Sequence, residues 1–378
     1  MPNTNKSHIK QRGRQPKIEV VDLFCGIGGL SYGMKSKGLN ILAGFDLDQT
    51  CQYAYETNTG AKFFNRDIKT VTADDILPLY SKNSIKVLAG CAPCQPFSSY
   101  AYKNKKKDPN KYDLLYEFGR LVKEVHPDIV TMENVPSIFF FDLKTVFPDF
   151  VSILQSENYH VSYQLVYCPR YGIPQTRRRL VLLASRIGEI NLIPATHDKG
   201  NYVSVRATIG DLPPIEAGEV CPTDSLHQCR ALSPLNLERI KATPYGGGWK
   251  DWPENLRLEC HKKEGGKTYG SVYGRMVWDE PAPTMTTQCT SIGSGRFGHP
   301  EQDRALSARE AALLQSFPMS YRFFPNEQSV SLTTISRYIG NAVPPKLGEV
   351  IAESIINHFT NTNHGKENKV KRAATTSD

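Results

Sequence analysis

Over its first 185 residues the chain alternates short apolar runs with helix-like segments. That alternation restricts the possible folds more than any other feature. "IEVVDLF" (18–24) is a β-branched run followed by glycines and reads as a buried strand. The pattern returns at "NILAGF" (40–45), "IKVLAG" (85–90), "DIVTMEN" (128–134), "YHVSYQLVY" (159–167) and "LVLLAS" (180–185). Between these lie "TADDILPLY", with Thr72 placed to cap a helix, and "YDLLYEFGRLVKEV". Strands alternating with helices predict an α/β fold with a mostly parallel sheet. Such sheets hold ligands at the carboxyl ends of their strands.

From about Arg186 to Pro300 the periodicity fades, and Gly, Pro, Thr and Trp become frequent. "TPYGGGWKDWPENL" and "KEGGKTYGSVYGRM" read as glycine-hinged loops between short strands. Helical order returns at "LSAREAALLQSFP", where Ser307 and Glu310 have capping-box spacing. It continues in "PPKLGEVIAESIINHF" (344–359). The expected organisation is a disordered basic arm (1–16), a catalytic and cofactor-binding domain (17–185) and a second domain (186–300). A return segment (301–360) then completes the first domain, ahead of a disordered tail (361–378).

No apolar run is long enough to cross a bilayer, and "MPNTNKSHIKQRGRQPK" has no apolar core, so no secretory signal is expected. A cytoplasmic protein with reduced thiols follows. The nine cysteines are odd in number and irregular in spacing, which argues against a disulfide framework. The net charge of +8 favours a polyanionic partner. Positive charge gathers at Lys103, Lys105, Lys106, Lys107 and Lys111, and again at Arg177, Arg178 and Arg179.

Gly26, Gly28 and Gly29 directly follow the first strand, where small residues let a ligand approach the backbone. A full Gly-x-Gly-x-x-Gly would suggest a dinucleotide, but Ser31 stands at the third position. Asp46 ends the second strand and could accept from ribose hydroxyls. Asp67 ends a third short segment and could accept from an adenine amino group. Together they indicate an adenosine-bearing ligand, without separating a nicotinamide cofactor from S-adenosylmethionine.

"GCAPCQPFSS" (90–99) holds Cys91 and Cys94 in Cys-x-x-Cys spacing. A zinc site needs four ligands, commonly as two half-sites. No second Cys-x-x-Cys exists, and Cys221, His227, Cys229, Cys260 and His261 are unsuitably spaced, so no metal is expected. A redox pair would open a helix, whereas Pro96 pushes Gln95 out of helical conformation. A single nucleophilic cysteine remains, weighed against two merely buried thiols.

The order "DLFCGIGG", "CAPCQPFS", "MENVPSI", "PQTRRRLVLL", an irregular insert and "YIGNAVPP" resembles the DNA (cytosine-5)-methyltransferases of the bacterial restriction-modification type, from about Ile18 to Phe359. The resemblance implies a Rossmann-like S-adenosylmethionine-dependent sheet with a smaller, irregular, mostly β and loop recognition domain at 186–300. It places the nucleophile at Cys94, gives Cys91 no role, and carries the family's other catalytic groups onto Glu133, Arg177 and Arg179. Cofactor contacts fall on Phe24, Gly26, Gly28, Asp46, Leu47, Asp67, Ile68, Pro93, Asn341 and Val343. Asp46 departs from the glutamate of many members. Thr284 and Met285, in "PAPTMTT", resemble a segment that members place near the reacting base.

The implied partners are S-adenosylmethionine and double-stranded DNA, with no metal. A monomer in the cytoplasm, associated with the nucleoid, is expected, with a cognate restriction nuclease acting separately. Loop 95–111 would close over a flipped nucleotide, and Lys250, Lys267, Arg275 and Arg296 would reach the major groove. Two rivals remain. One is a tRNA methyltransferase, whose Cys-Phe-Thr signature is absent here; the other is an inactive DNA-binding relative.

Overall fold

The computed structural model describes residues 17–93, 113–139, 146–325 and 330–375. The expected basic arm, Cys94 and loop 95–111 lie outside the described residues. Seven strands form one sheet: β1 (Ile18–Leu23), β2 (Asn40–Asp46), β3 (Lys62–Asn65), β4 (Ile85–Gly90), β5 (Ile129–Asn134), β6 (His160–Tyr167) and β7 (Arg178–Ser185). Their order is β3-β2-β1-β4-β5-β7-β6. Strands β1 to β5 pair in parallel, and β7 runs antiparallel between β5 and β6. The mostly parallel α/β sheet expected from the alternation is therefore present.

The strands read as unbroken apolar runs because both faces are covered. Alternate residues go to opposite sides: Val20, Val87, Val181 and Leu183 to one core, Val21, Leu88, Leu180 and Leu182 to the other. Four helices of the first half are α1 (Gly29–Ser36), α2 (Gln52–Thr59), α3 (Ala73–Ile76) and α4 (Asp113–Val125), followed by α5 (Val146–Ser156). Helix α4 buries Leu115, Phe118, Leu121, Val122 and Val125, the three-to-four spacing of one helix face. Helix α3 is shorter than "TADDILPLY" suggests. Thr72 caps it, its N–H donating to Asp75 (3.0 Å), but Pro78 turns the next residues into a 3-10 turn.

Residues 186–300 hold α6 (Val205–Ile209), β8 (Val220–Cys221), β9 (Asp224–Gln228), α7 (Pro234–Lys241), α8 (Glu259–Lys262) and α9 (Glu264–Lys267). The loops were expected, but the short strands between them are not: among the described residues only the β8–β9 hairpin and isolated bridges pair here. Buried side chains replace the ladder. Arg275 is 4% exposed and donates to the carbonyls of Ile240, Thr243, His299 and Gln302. Trp249 stacks on His261 with ring centres 4.1 Å apart.

The chain then returns to the sheet through α10 (Ala308–Leu314), α11 (Leu332–Asn341) and α12 (Pro345–Thr375). The capping box expected at Ser307 and Glu310 forms. All three helices contribute to the same core as α1. Helix α12 runs on to Thr375, whereas the composition predicts a disordered tail from Asn361. Lys and Ala, which favour helix, make up five of the fifteen residues from Asn361 to Thr375. No helix among the described residues is long and apolar enough to cross a membrane.

Candidate active site

The sheet order reverses between β1 and β4, and the chain leaves both strands at the same edge. Open α/β sheets bind ligands at such a point. After β1 the backbone turns sharply: Phe24, Gly26 and Gly28 have φ of 58°, 50° and 88°. Phe24 in this region stores strain of about 1–3 kcal/mol. A Cβ on Gly26 would meet nothing within 4 Å, so the space above it is open. Asp46 fixes the turn, accepting from the Gly26 N–H (2.8 Å) and the Asp48 N–H (2.8 Å). A ribose hydroxyl would have to share these oxygens. Leu47 is 70% exposed beside it. Asp67 accepts from the Lys69 N–H (3.0 Å), and the Ile68 side chain is buried.

The C-terminal segment supplies the remaining wall. Arg337 pairs with Asp48 at 2.6 Å, and the Tyr338 hydroxyl donates to the Thr50 carbonyl (3.0 Å). Asn341, at the end of α11, is exposed, whereas the Val343 side chain is buried. A Cβ on Gly29 would stand 2.2 Å from the Val343 carbonyl oxygen, so glycine lets that main chain lie against the turn. The open turn, the exposed leucine and the two strand-end carboxylates fit an adenosine-bearing ligand.

At the next strand ends, Glu133 and Arg179 face each other. Glu133 lies opposite Val181 in the β5–β7 register, so Arg179 sits diagonally across on the same face. Arg179 Nε and Glu133 Oε1 are 2.8 Å apart, an ion pair whose N–H is not aligned as a hydrogen bond. Both side chains are largely buried, at 13% and 8% exposure. Asn134 donates to the Ala92 carbonyl (3.4 Å) and so ties β5 to the segment entering Cys94. Pro93 is exposed at the end of that segment. Cys91 sits beside Glu133. Burial first, then the charge of Glu133, pushes its thiol well above the ordinary range, which keeps it protonated.

Arg177 occupies a different place from its neighbour. It is 2% exposed and donates to the carbonyls of Met285 (3.0 Å), Gly340 (3.4 Å) and Ala342 (3.4 Å). In this arrangement its two terminal nitrogens are engaged by main chain, while its buried Nε is left without a partner among the described residues. Burial, then the charge of Arg179, pushes the guanidinium down to about 9. Gln175 joins the same junction, accepting from the Met285 N–H (3.1 Å) and donating to Gln315 (2.6 Å). Gln315 in turn donates to the Ala342 carbonyl (2.6 Å). "PQTRRR", "PAPTMTT" and "YIGNAV" thus converge on one buried knot, with Thr284 half-buried within it.

Arg275 and Arg296 are both tied to main-chain carbonyls. Arg275 is buried, and Arg296 donates to the carbonyls of Gly246 (2.6 Å), Gly247 (2.7 Å) and Arg275 (3.0 Å). Lys250 is exposed. His227 bridges Ser307 (2.8 Å) and the Pro213 carbonyl (2.8 Å), while Cys221 and Cys229 form a small core with Ile215. Among the described residues no group of His, Cys, Asp and Glu could hold a metal ion. Sequence reasoning missed Gln315, and also Asp22, buried beneath the glycine turn. The Ser31 hydroxyl donates to Asp22 at 2.6 Å, and burial raises this carboxyl to about 7. A polar residue inside an apolar strand run was the only signal for Asp22.

Residues 18–357 match the family described as C-5 cytosine-specific DNA methylase. The chain belongs to that family. It is 52% identical over 336 residues to the Type II methylase M.HgiDII of Herpetosiphon aurantiacus, covering 89% of this chain and 94% of that one. It is 31% identical over 357 residues to the Type II methyltransferase M1.BsuMI of Bacillus subtilis, covering 89% and 79%. These alignments place it with the methylases of the restriction-modification type. The fold is shared with a DNA modification methyltransferase encoded within an Escherichia coli prophage (TM-score 0.70, 21% identity, covering 90% of this chain and 99% of that one). It is also shared with the S. pombe Dnmt2 methyltransferase (TM-score 0.61, 17% identity, covering 90% and 99%). Members of the family use S-adenosylmethionine.

Proposed function

We propose that this methylase acts on one short DNA sequence and flips its target cytosine out of the duplex. It then adds the Cys94 thiolate to carbon 6 and methylates carbon 5. The observation that carries the reading is the enclosed Glu133–Arg179 pair, one strand away from the Ala92–Pro93 segment that leads into Cys94. Carbon 5 of cytosine is a poor nucleophile. Thiolate addition at carbon 6 breaks the ring conjugation and makes carbon 5 enamine-like. Glu133 would protonate ring nitrogen 3 and offset the charge entering the ring, exchanging its partner Arg179 for the base. Arg179 supplies positive charge at the same end of the sheet. Loss of the carbon 5 proton and then of the thiol restores the aromatic ring. These carbons lie inside the duplex stack, so the nucleotide must leave it.

S-adenosylmethionine supplies an electrophilic methyl group. The main chain at Phe24, Gly26, Gly28, Ile68 and Val343 would hold it, with the side chains of Asp46, Leu47, Asp67 and Asn341 and the exposed face of Pro93. Arg177 is a positioning residue in this scheme. Residues 17–185 and 301–360 form the catalytic unit, and 186–300 the recognition unit, where exposed Lys250 rather than Arg275 or Arg296 is available to DNA.

The test uses labelled S-adenosylmethionine with duplex DNA or total tRNA, and duplexes carrying 5-fluorocytosine. Fluorine cannot leave as a cation, so the adduct should persist as a denaturant-stable protein–DNA species that Cys94→Ala does not form and Cys91→Ala still forms. Label entering only tRNA, or no trapped species with wild-type protein, would overturn the reading.

A further inference from the structure

We propose that the outer corner of β6 and β7, built from Tyr167, Arg178 and Arg170, is an additional contact for the DNA backbone. The proposal rests on the DNA reading above and assigns a role to residues outside the catalytic set. In the β6–β7 register Tyr167 lies opposite Arg178. Side chains alternate along a strand, so Arg179 turns to Glu133 and Arg178 turns to the other face. There Arg178 is exposed, and its guanidinium carbon lies 5.1 Å from the centre of the Tyr167 ring. Tyr202 meets that ring edge-on, with centres 5.9 Å apart. Arg170 is also exposed and lines a cleft of about 250 Å³ together with Tyr167. Its carbonyl accepts from the N–H groups of Thr196 and His197, both at 3.0 Å, which fixes the backbone.

Two features separate this corner from an ordinary solvated face. Among the described residues, neither Arg170 nor Arg178 has a carboxylate within ion-pair distance. Exposed Arg206 and Arg337 pair with Asp279 and Asp48, whereas exposed Arg186 and Arg322 also lack such a partner among the described residues, so the unpaired charge marks this corner only together with its place on the sheet. The corner also stands at the carboxyl edge of the sheet, one residue from Arg179. A planar guanidinium stacked on tyrosine has lost little further freedom when it meets a phosphate, and its fork matches two phosphate oxygens. Phosphate contacts carry no sequence information but fix the register of protein on duplex. A nucleotide swinging out of the stack needs its flanking backbone held.

The experiment measures binding of the full chain to a duplex of random sequence, by fluorescence anisotropy, between 50 and 200 mM salt. Each phosphate contact contributes about 0.9 to the slope of log affinity against log salt. Arg178→Gln and Arg170→Gln should each flatten the slope by about that amount, so the loss of affinity across this salt range shrinks roughly threefold per contact. Arg178→Lys keeps the charge and should keep the slope, while binding weakens because the stacked fork is gone. Lys82→Gln, exposed just before β4 at the opposite edge, should change neither slope nor affinity. The proposal fails if both glutamine variants keep the wild-type slope, or if Lys82→Gln flattens it equally. A wild-type protein without salt-dependent DNA binding would instead sink the underlying DNA reading, and this contact with it.

Discussion

Glu133 reaches Arg179 only because β5 and β7 run antiparallel in one particular register. A shift of one residue would send the carboxylate to the opposite face. Both charges are enclosed, so removing one partner strands the other. Arg179→Ala should therefore lower unfolding free energy by about 3–5 kcal/mol in urea titration. An unchanged midpoint would show the pair to be solvent-screened. Glu133→Gln keeps the shape but cannot deliver a proton. Its single-turnover methylation rate should fall about 10²–10⁴-fold. An unchanged rate would remove Glu133 from the chemistry.

Helix α11 approaches the "PAPTMTT" segment so closely that only glycine fits at the crossing. A Cβ on Gly340 would stand 2.2 Å from the Thr286 carbonyl carbon and 2.3 Å from the Thr287 nitrogen, both main-chain atoms that cannot swing away. Gly340→Ala must push the two segments apart and lengthen the Arg177 bonds to Met285 and Gly340. Overpacking of this kind costs about 1–3 kcal/mol. The expected outcome is a lowered denaturation midpoint together with weaker S-adenosylmethionine binding in calorimetry, since Asn341 and Val343 move with the helix. Normal cofactor affinity in a destabilised variant would show that the knot supports the fold alone.

Across the whole molecule, residues 186–300 are fastened to α10 by a buried polar cluster. Arg304, in the return segment, holds Glu310 through two bonds of 2.8 and 2.7 Å and donates to the Ile215 carbonyl (3.0 Å), and His299 lies 3.8 Å from the same carboxylate. Burial alone would raise Glu310, but its bonds to Arg304 outweigh that and keep it low. Burial lowers His299 from 6.5 to about 4. A histidine lowered on folding contributes stability fully present above pH 6.5 and lost as pH falls towards 4. The difference amounts to about 3 kcal/mol. Burial also lowers His261 and His358, which act in the same direction. Unfolding free energy should thus fall between pH 6.5 and 4, and His299→Gln should flatten that fall; an equal slope in the variant would refute the assignment. At the same scale, exchanging 186–300 for the corresponding segment of another family member should change the DNA sequence methylated without ending activity. Methylation of the original sequence by the chimera would place recognition elsewhere.

The sheet was legible in the sequence because strands buried on both faces must be continuous apolar runs, and glycine or a carboxylate at their ends stands out against that background. The caps at Thr72 and Ser307 were legible because capping is local, set within three residues. The family motifs named Glu133, Arg177 and Arg179 alike, without saying which of the two arginines meets Glu133. Tertiary structure alone decided that Arg179 faces Glu133, Arg178 faces outward and Arg177 lies below the surface, because strand alternation and the arrival of Met285 and Gly340 fix those environments. It also made Arg275 and Arg296 braces for loops that lack strand pairing among the described residues. A side chain's chemistry is written locally. Its partner, contributed by residues more than 100 positions away in the case of Arg177, is not.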